Sequence, residues 1–280
     1  METETAAEML GRLRSIEAER VKLTVLPDIQ PGRLLELLGE PGSGKSQLLM
    51  TTVVECVSQH ANHRVLLIDL DGKLSVLRLV GMVEASVSTS SPVDCSSDQS
   101  TTAFDQAVAS ALKRITVITP RGAEDALKIL DRIDELYWDR SDEKESRLAL
   151  LCIDGIDALL DVDDQQDIDQ LVSRIAQCAR EYHIPAIVSR RLFRRYEEDT
   201  ESTGNGDEAN RRSETIAVGY LGKTWTYVVN CSIRLQPLTM EGEDDLCLVR
   251  AIVTNTATEE KNQMMLSISE NGVQLYQSSE

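Results

Sequence analysis

Eight consecutive residues, Gly39-Glu40-Pro41-Gly42-Ser43-Gly44-Lys45-Ser46, match the pattern G-x-x-x-x-G-K-[ST] at every fixed position. That spacing builds a phosphate cradle. Glycines let successive backbone N–H groups converge on one anion, and a helix starting where the loop ends adds the positive end of its dipole. The pattern assigns Lys45 to the β- and γ-phosphates of a nucleotide and the Ser46 hydroxyl to Mg²⁺. Such an ion also needs a carboxylate, and the apolar run Leu148-Ala149-Leu150-Leu151-Cys152-Ile153 ends in Asp154. A second run, Val65 to Ile68, ends in Asp69-Leu70-Asp71, whose two carboxylates stand two residues apart and so point the same way on a strand. Either could position an attacking water. His60 and His63 have H-x-x-H spacing, but no carboxylate or thiol at ligand spacing accompanies them, and they are not read as a metal site.

These groups need a scaffold that brings strand ends together. Apolar runs of strand length occur at Leu34 to Leu38, Val65 to Asp69, Ile115 to Ile118, Leu148 to Asp154 and Ala186 to Ser189. Between them lie helical patterns at Gln47 to Ser58, at 123–138 (Ala126, Leu130, Ile133, Tyr137) and at 168–182 (Ile168, Leu171, Ile175, Cys178, Tyr182). Alternation of this kind predicts an α/β fold with a mainly parallel sheet covered on both faces. After Gly222 the pattern becomes strands joined by short polar turns (Val228 to Leu235, Leu246 to Thr254, Met264 to Ile268, Val273 to Tyr276), read as antiparallel strands extending the same sheet. Met9, Leu13 and Ile16 predict a short amphipathic helix ahead of the core. Residues 86–102 hold ten Ser/Thr in seventeen positions, and residues 196–210 carry six acids and no base. Both are expected to be loops.

The composition narrows the function classes. The chain has 280 residues, 41% of them hydrophobic, and a net charge of −18. An apolar share of that size fills a core, and one large domain is expected. The acidic balance argues against a protein whose whole surface grips nucleic acid, so any such contact must come from a local basic patch. No apolar run is long enough to span a membrane, and the first residues are acidic where a secretion signal would be basic. The six cysteines lie far apart with no C-x-x-C pair and are read as reduced core thiols.

Several stretches beyond the phosphate loop resemble one family. Asp69-Leu70-Asp71 followed by Leu77-Arg78-Leu79-Val80, the strand ending in Asp154, Tyr220-Leu221-Gly222-Lys223-Thr224-Trp225, and Ser269-Glu270-Asn271-Gly272-Val273 are similar to the RecA-fold strand-exchange proteins. Within that family they resemble the short eukaryotic recombinase paralogues that assist homologous recombination. The resemblance runs from about Ala7 to Tyr276. It implies a RecA-like P-loop NTPase core over residues 32–280, preceded by a helix and linker over 1–31, and binding of ATP with Mg²⁺ through Gly39 to Ser46 and Asp154. It also implies pairing with another recombinase paralogue in a heteromeric complex, action on a recombinase filament on single-stranded DNA, DNA repair, and a nuclear location.

Departures from the recombinase pattern qualify the enzyme class. The position matching Asp71 is usually Glu, which aligns the hydrolytic water; Asp is one methylene shorter. An Asn-Gln pair is expected after the strand at 184–189, the Gln sensing the γ-phosphate, and here Arg190 and Arg191 stand in its place. Both changes predict nucleotide binding with weak or absent hydrolysis. A self-sufficient DNA-dependent ATPase would need Asp71 as the water-aligning residue and Arg191 in the role of Gln; a scaffold subunit would use nucleotide only as a stabilising ligand. Arg190, Arg191, Arg194 and Arg195, with Phe193 and Tyr196 nearby and Arg211 and Arg212 further on, form the candidate DNA contact, balanced by the acids that follow them. Residues 158–170 carry five Asp and no base, which disfavours DNA there. Phe104-Asp105-Gln106-Ala107 matches the Phe-x-x-Ala by which recombinases polymerise, but away from the family's position for it, while the segment around Met9 to Ile16 is the better candidate interface.

Overall fold

The computed structural model describes residues 5, 23–27, 29–90, 98–137, 147–161, 163–197, 213–218, 221–238 and 247–276. Strand β1 (Leu34–Gly39) is central because nearly every position in Leu-Leu-Glu-Leu-Leu-Gly is apolar enough to be buried on both faces. The strands that follow are β2 (His63–Asp69), β3 (Ile115–Ile118), β4 (Arg147–Asp154), β5 (Ala186–Glu197), β6 (Ser213–Val218), β7 (Val229–Leu238), β8 (Cys247–Asn255), β9 (Lys261–Ser269) and β10 (Gly272–Leu275). Their order across the sheet is β10-β9-β8-β7-β1-β5-β4-β2-β3, with β6 paired to the outer half of β5. β7, β1, β5, β4, β2 and β3 run parallel to their neighbours, and β8, β9 and β10 continue the sheet in antiparallel fashion. The α/β reading and its antiparallel C-terminal extension both hold.

Helices cover the two faces. On one side lie α1 (Lys45–Gln59), α2 (Val76–Ser90) and α3 (Asp98–Leu112), packed over Leu35, Leu37, Val65, Leu67 and Leu150. On the other are α4 (Ala123–Asp131), α5 (Ile133–Tyr137), α6 (Gln165–Glu181) and α7 (Gly222–Val228), over Leu34, Leu66, Ile68, Leu151 and Val188. Alternation along β1 sends Leu34 and Leu35 to opposite cores, so a Leu35→Ala change at a fully buried site costs roughly 2–5 kcal/mol. Helix α1 carries two threonines in its buried turns because Thr51 and Thr52 donate to the carbonyls of Gln47 and Leu48. Val25, Leu26 and Ile29 also pack into the first core, within the segment read as helix and linker. Met9, Leu13 and Ile16 lie outside the described residues.

Three local expectations change. Residues 86–90 and 98–102 are helical, belonging to α2 and α3, because burial of Met82, Val83 and Val108 holds those helices despite their Ser/Thr-rich ends. The helix expected over 123–138 is split after Asp131 into α4 and α5. The strand read as ending at Ser189 continues as β5 to Glu197 and is paired by β6, with Leu192 opposite Val218 and Glu197 opposite Ser213, while residues 198–210 of the loop expected over 196–210 lie outside the described residues. Phe104 lies within α3 and packs partly buried on the first core, which spends its ring inside this molecule.

Candidate nucleotide-binding site

The strand registers place Gly39 beside Arg191, and Asp69 beside Asp154, at the carboxyl ends of adjacent parallel strands. That sheet edge is where ligands of open α/β folds bind. The phosphate loop leaves β1 there and enters α1, with Gly42 at φ 79° and Gly44 at φ 89°, left-handed backbone suited to glycine. Gly39 has a second constraint: a Cβ on it would lie 2.2 Å from the Ser43 hydroxyl. That hydroxyl is buried and has no hydrogen-bond partner among the described residues, a polar atom left for a ligand inside the cradle. Lys45 turns its Nζ back into the loop, donating to the carbonyls of Gly39 and Glu40 at 2.8 Å each. Burial lowers its pKa, opposed by the nearby charges of Asp157, Asp154 and Asp71, while Arg191 lowers it further.

Asp154 collects hydroxyls. Ser46, from the loop, and Ser189, from β5, both donate to its carboxylate, and Ser189 Oγ in turn accepts from the Gly155 N–H at 2.8 Å. Burial raises the Asp154 pKa; the two hydroxyls oppose the shift, and the charges of Asp71 and Asp69 reinforce it. Asp69, Asp71 and Asp154 bring carboxylate oxygens within 4.8 Å of one another. Asp69 is braced at 3.0 Å by the N–H groups of Gly72 and Leu74. Asp71 accepts from Lys73 N at 3.3 Å and Lys73 Nζ at 3.1 Å, and packs on Gly155, where an added Cβ would meet its side chain at 3.1 Å.

The residues present fit a magnesium nucleotide. The loop N–H groups and Lys45 would hold phosphate oxygens, and Ser46 with Asp154 would hold Mg²⁺, whose contribution when bound is to neutralise phosphate charge. Asp71, the water-aligning candidate, lies at this edge with its oxygens engaged by Lys73.

The two arginines that replace Asn-Gln part company. Arg190 is not a DNA-facing residue: strand alternation turns it into the second core, where its guanidinium pairs with Glu36 of β1, both nearly fully buried. Glu36 also accepts from Trp225 Nε1 at 2.7 Å and Ser232 Oγ at 3.2 Å, and the Arg190 guanidinium lies 5.1 Å from the Trp225 ring centre. Arg191 points to the opposite side, donating from its backbone N (3.0 Å) and its Nε to Asp157, on the 3₁₀ turn Ile156–Asp161. Arg194 and Arg195 follow on the β5 backbone; their side chains, with Arg211, Arg212 and Tyr220, lie outside the described residues. Sequence reasoning missed Ser189, Asp157 and Glu36. Asp157 was legible in principle as a carboxylate three residues after Asp154, and Glu36 as a lone charge inside a leucine strand.

A family model for FtsK/SpoIIIE matches residues 22–192, more than half of the chain and the whole site above. The chain belongs to the FtsK/SpoIIIE family. This FtsK/SpoIIIE-family chain has no match among curated proteins. Among solved structures, the crystal structure of the RadB recombinase aligns with a TM-score of 0.57 at 17% identity, covering 95% of this chain and 96% of that one. The fold is therefore RecA-like around a P-loop. Among the described residues no helix is long and apolar enough to cross a membrane.

Proposed function

We propose that this chain is a recombination mediator: a RecA-fold recombinase paralogue that binds ATP with Mg²⁺ and pairs with another paralogue. Together they stabilise or remodel a recombinase filament on single-stranded DNA during homologous recombination repair in the nucleus. Within this reading the paralogue type proposed is that of the second X-ray-repair cross-complementing protein, with the D-type paralogue as the other candidate. The observation that supports it is a binding half gathered at one set of strand ends beside changed residues at the hydrolytic positions. Lys45, Ser46 and Asp154 meet at one strand edge, while the residues in place of Asn-Gln are both held by carboxylates, Arg190 by Glu36 and Arg191 by Asp157. Asp71, with its oxygens on Lys73, is poorly placed to take a proton from water. The fold shared with a protein titled a recombinase supports the recombination context.

The test is co-expression with candidate paralogue partners, then the lifetime of recombinase filaments on single-stranded DNA, for wild type and Lys45→Ala. The mediator reading expects a co-purifying partner and a filament lifetime that the variant reduces without abolishing. An unchanged lifetime with intact assembly would make the nucleotide a structural ligand. Robust DNA-stimulated hydrolysis by the chain alone would make it an autonomous ATPase.

A further inference from the structure

The amino end of β1 lies at the opposite edge of the sheet from the phosphate loop, about 17 Å away along the strand. A cavity of about 440 Å³ opens there. The register of β7 on β1 slips at this point: Leu34 pairs with Val229 and Leu35 with Cys231, which leaves Asn230 unmatched. Asn230 closes the gap with its own side chain, its Oδ1 accepting from the Leu34 N–H at 2.9 Å. Asn255, at the end of β8 and opposite Cys231, accepts with its Oδ1 from the N–H groups of Ala257 at 2.9 Å and Thr258 at 3.4 Å. The two asparagines meet at one corner, where the Thr256 N–H donates to the Asn230 carbonyl at 3.1 Å. A backbone N–H can only donate, so each side-chain oxygen is spent on the fold and each NH₂ group is left over as a donor. Both residues line the cavity, and neither NH₂ has a partner among the described residues.

We propose that this cavity binds a carboxylate carried on an apolar body the size of one or two amino-acid residues. Arg33, the residue before β1, adds a cation to the lining; it is exposed and makes no ion pair among the described residues. A guanidinium and two amide NH₂ groups offer charge-assisted donors to an anion that has about four acceptor sites. Ile29, Leu34 and Val253, all buried, supply apolar wall for the rest of the ligand. Glu260 is the acid of the lining, and its carboxylate accepts from the Thr258 hydroxyl at 3.2 Å. One guanidinium beside one acid suits a single negative charge rather than the double charge of a phosphate. The volume sits near the lower end of small-ligand pockets, which run from about 300 to 1,000 Å³. This chemistry is shared by a short organic acid and by the last residue of a polypeptide. None of the phosphate-loop residues takes part, so the site is independent of the nucleotide reading.

The experiment follows the side-chain amide signals of the ¹⁵N-labelled full chain by NMR during titration with N-acetyl-leucine and with N-acetyl-leucinamide, which has the same body without the charge. Thermal melts check that each variant is folded. The NH₂ signals of Asn230 and Asn255 should shift with the acid, and the amide should bind at least about tenfold more weakly, a difference of about 1.4 kcal/mol. Asn255→Asp keeps the oxygen that the two backbone N–H groups need but sets negative charge where the NH₂ was, and should abolish binding. Arg33→Gln should weaken the acid roughly tenfold. Two further probes, 4-methylpentanoate and N-acetyl-Ala-Ala-Leu, separate the sources: tighter binding of the first supports a free acid as ligand, tighter binding of the second a chain end. Equal binding of acid and amide, acid binding that Asn255→Asp leaves intact, or shifts confined to the phosphate loop would overturn the assignment. So would the absence of binding by every probe up to about 10 mM. If Asn255→Asp fails to fold, Arg33→Gln decides: undiminished affinity for the acid overturns the proposal.

Discussion

Replacing Glu36 by alanine tests how the strand that carries Ser189 and Arg191 is fixed. The carboxylate accepts from Arg190, Trp225 and Ser232, which lie 154, 189 and 196 residues further along the chain, so one side chain ties together β5, α7 and β7. Its removal takes the Glu36 carboxylate away from a guanidinium at 5% exposure. Breaking a buried pair by deleting one partner costs about 3–5 kcal/mol, and an orphaned indole N–H and hydroxyl each add about 1–3 kcal/mol in part. A loss of about 5 kcal/mol is therefore expected, against a total stability of about 5–15 kcal/mol, and at this chain length it lowers Tm by about 8 °C. Glu36→Gln keeps the shape and an acceptor oxygen but not the charge, and should cost about 2–3 kcal/mol. The double change Glu36→Leu with Arg190→Met should recover most of the loss, because an apolar pair of similar volume has no charge to desolvate. Urea unfolding of the four proteins, comparing midpoints at constant m-value, measures this. A cost below about 1 kcal/mol for Glu36→Ala, or a double variant no more stable than that single one, would refute the reasoning.

Three further outcomes follow from the site and the core. Asp154 has a raised pKa, so in the metal-free fold its protonated form is favoured: its contribution to stability is present below the ordinary aspartate range and is lost as pH rises through the raised value. Mg²⁺ competes for the ionised form, so stabilisation by added Mg²⁺ in thermal melts should be largest near neutral pH and fade on acidification at a higher pH than an ordinary aspartate would give; a pH-independent Mg²⁺ effect would remove Asp154 from the ion site. Gly44→Ala sets a side chain at φ 89° with its Cβ 2.1 Å from Ile268 Cδ1, and should weaken nucleotide affinity about tenfold or more, with Ile268→Ala added to it restoring only part because the backbone strain stays. Burial pushes the Cys56 thiol up to about 12 and raises Cys152 as well, so alkylation of the native protein followed by mass spectrometry should modify exposed Cys247 and spare both; labelling of Cys56 as fast as Cys247 would contradict that burial.

How much was legible depended on whether a feature is local in the chain. The phosphate loop could be read from eight residues because glycine spacing dictates its backbone, and Asp154 because a run of apolar residues must end where the sheet ends. The parallel sheet covered on both faces followed from the βαβ rhythm, whereas the order of its strands, with β1 between β7 and β5, came only with the fold. Glu36 was hidden because its meaning lies in residues more than 150 positions away. Arg190 and Arg191 read as one basic cluster, yet β5 continues through them and its two-residue alternation sends one guanidinium to Glu36 and the other to Asp157. The same continuation keeps the arginine cluster in strand past Ser189: pairing with β6 satisfies its backbone. The Ser/Thr-rich ends of α2 and α3 misled for the opposite reason, tertiary burial of Met82 and Val108 overriding weak local preference.

The proposed function depends on this chain holding a magnesium nucleotide without turning it over at an enzyme's pace. The direct measurement is equilibrium ATP binding alongside steady-state hydrolysis, with and without single-stranded DNA, for wild type and Lys45→Ala. Mg²⁺-dependent binding that Lys45→Ala weakens strongly is expected, with turnover near background whether or not DNA is present. Rapid DNA-stimulated hydrolysis lost in Lys45→Ala would contradict it, as would the absence of any nucleotide binding by the folded wild-type chain.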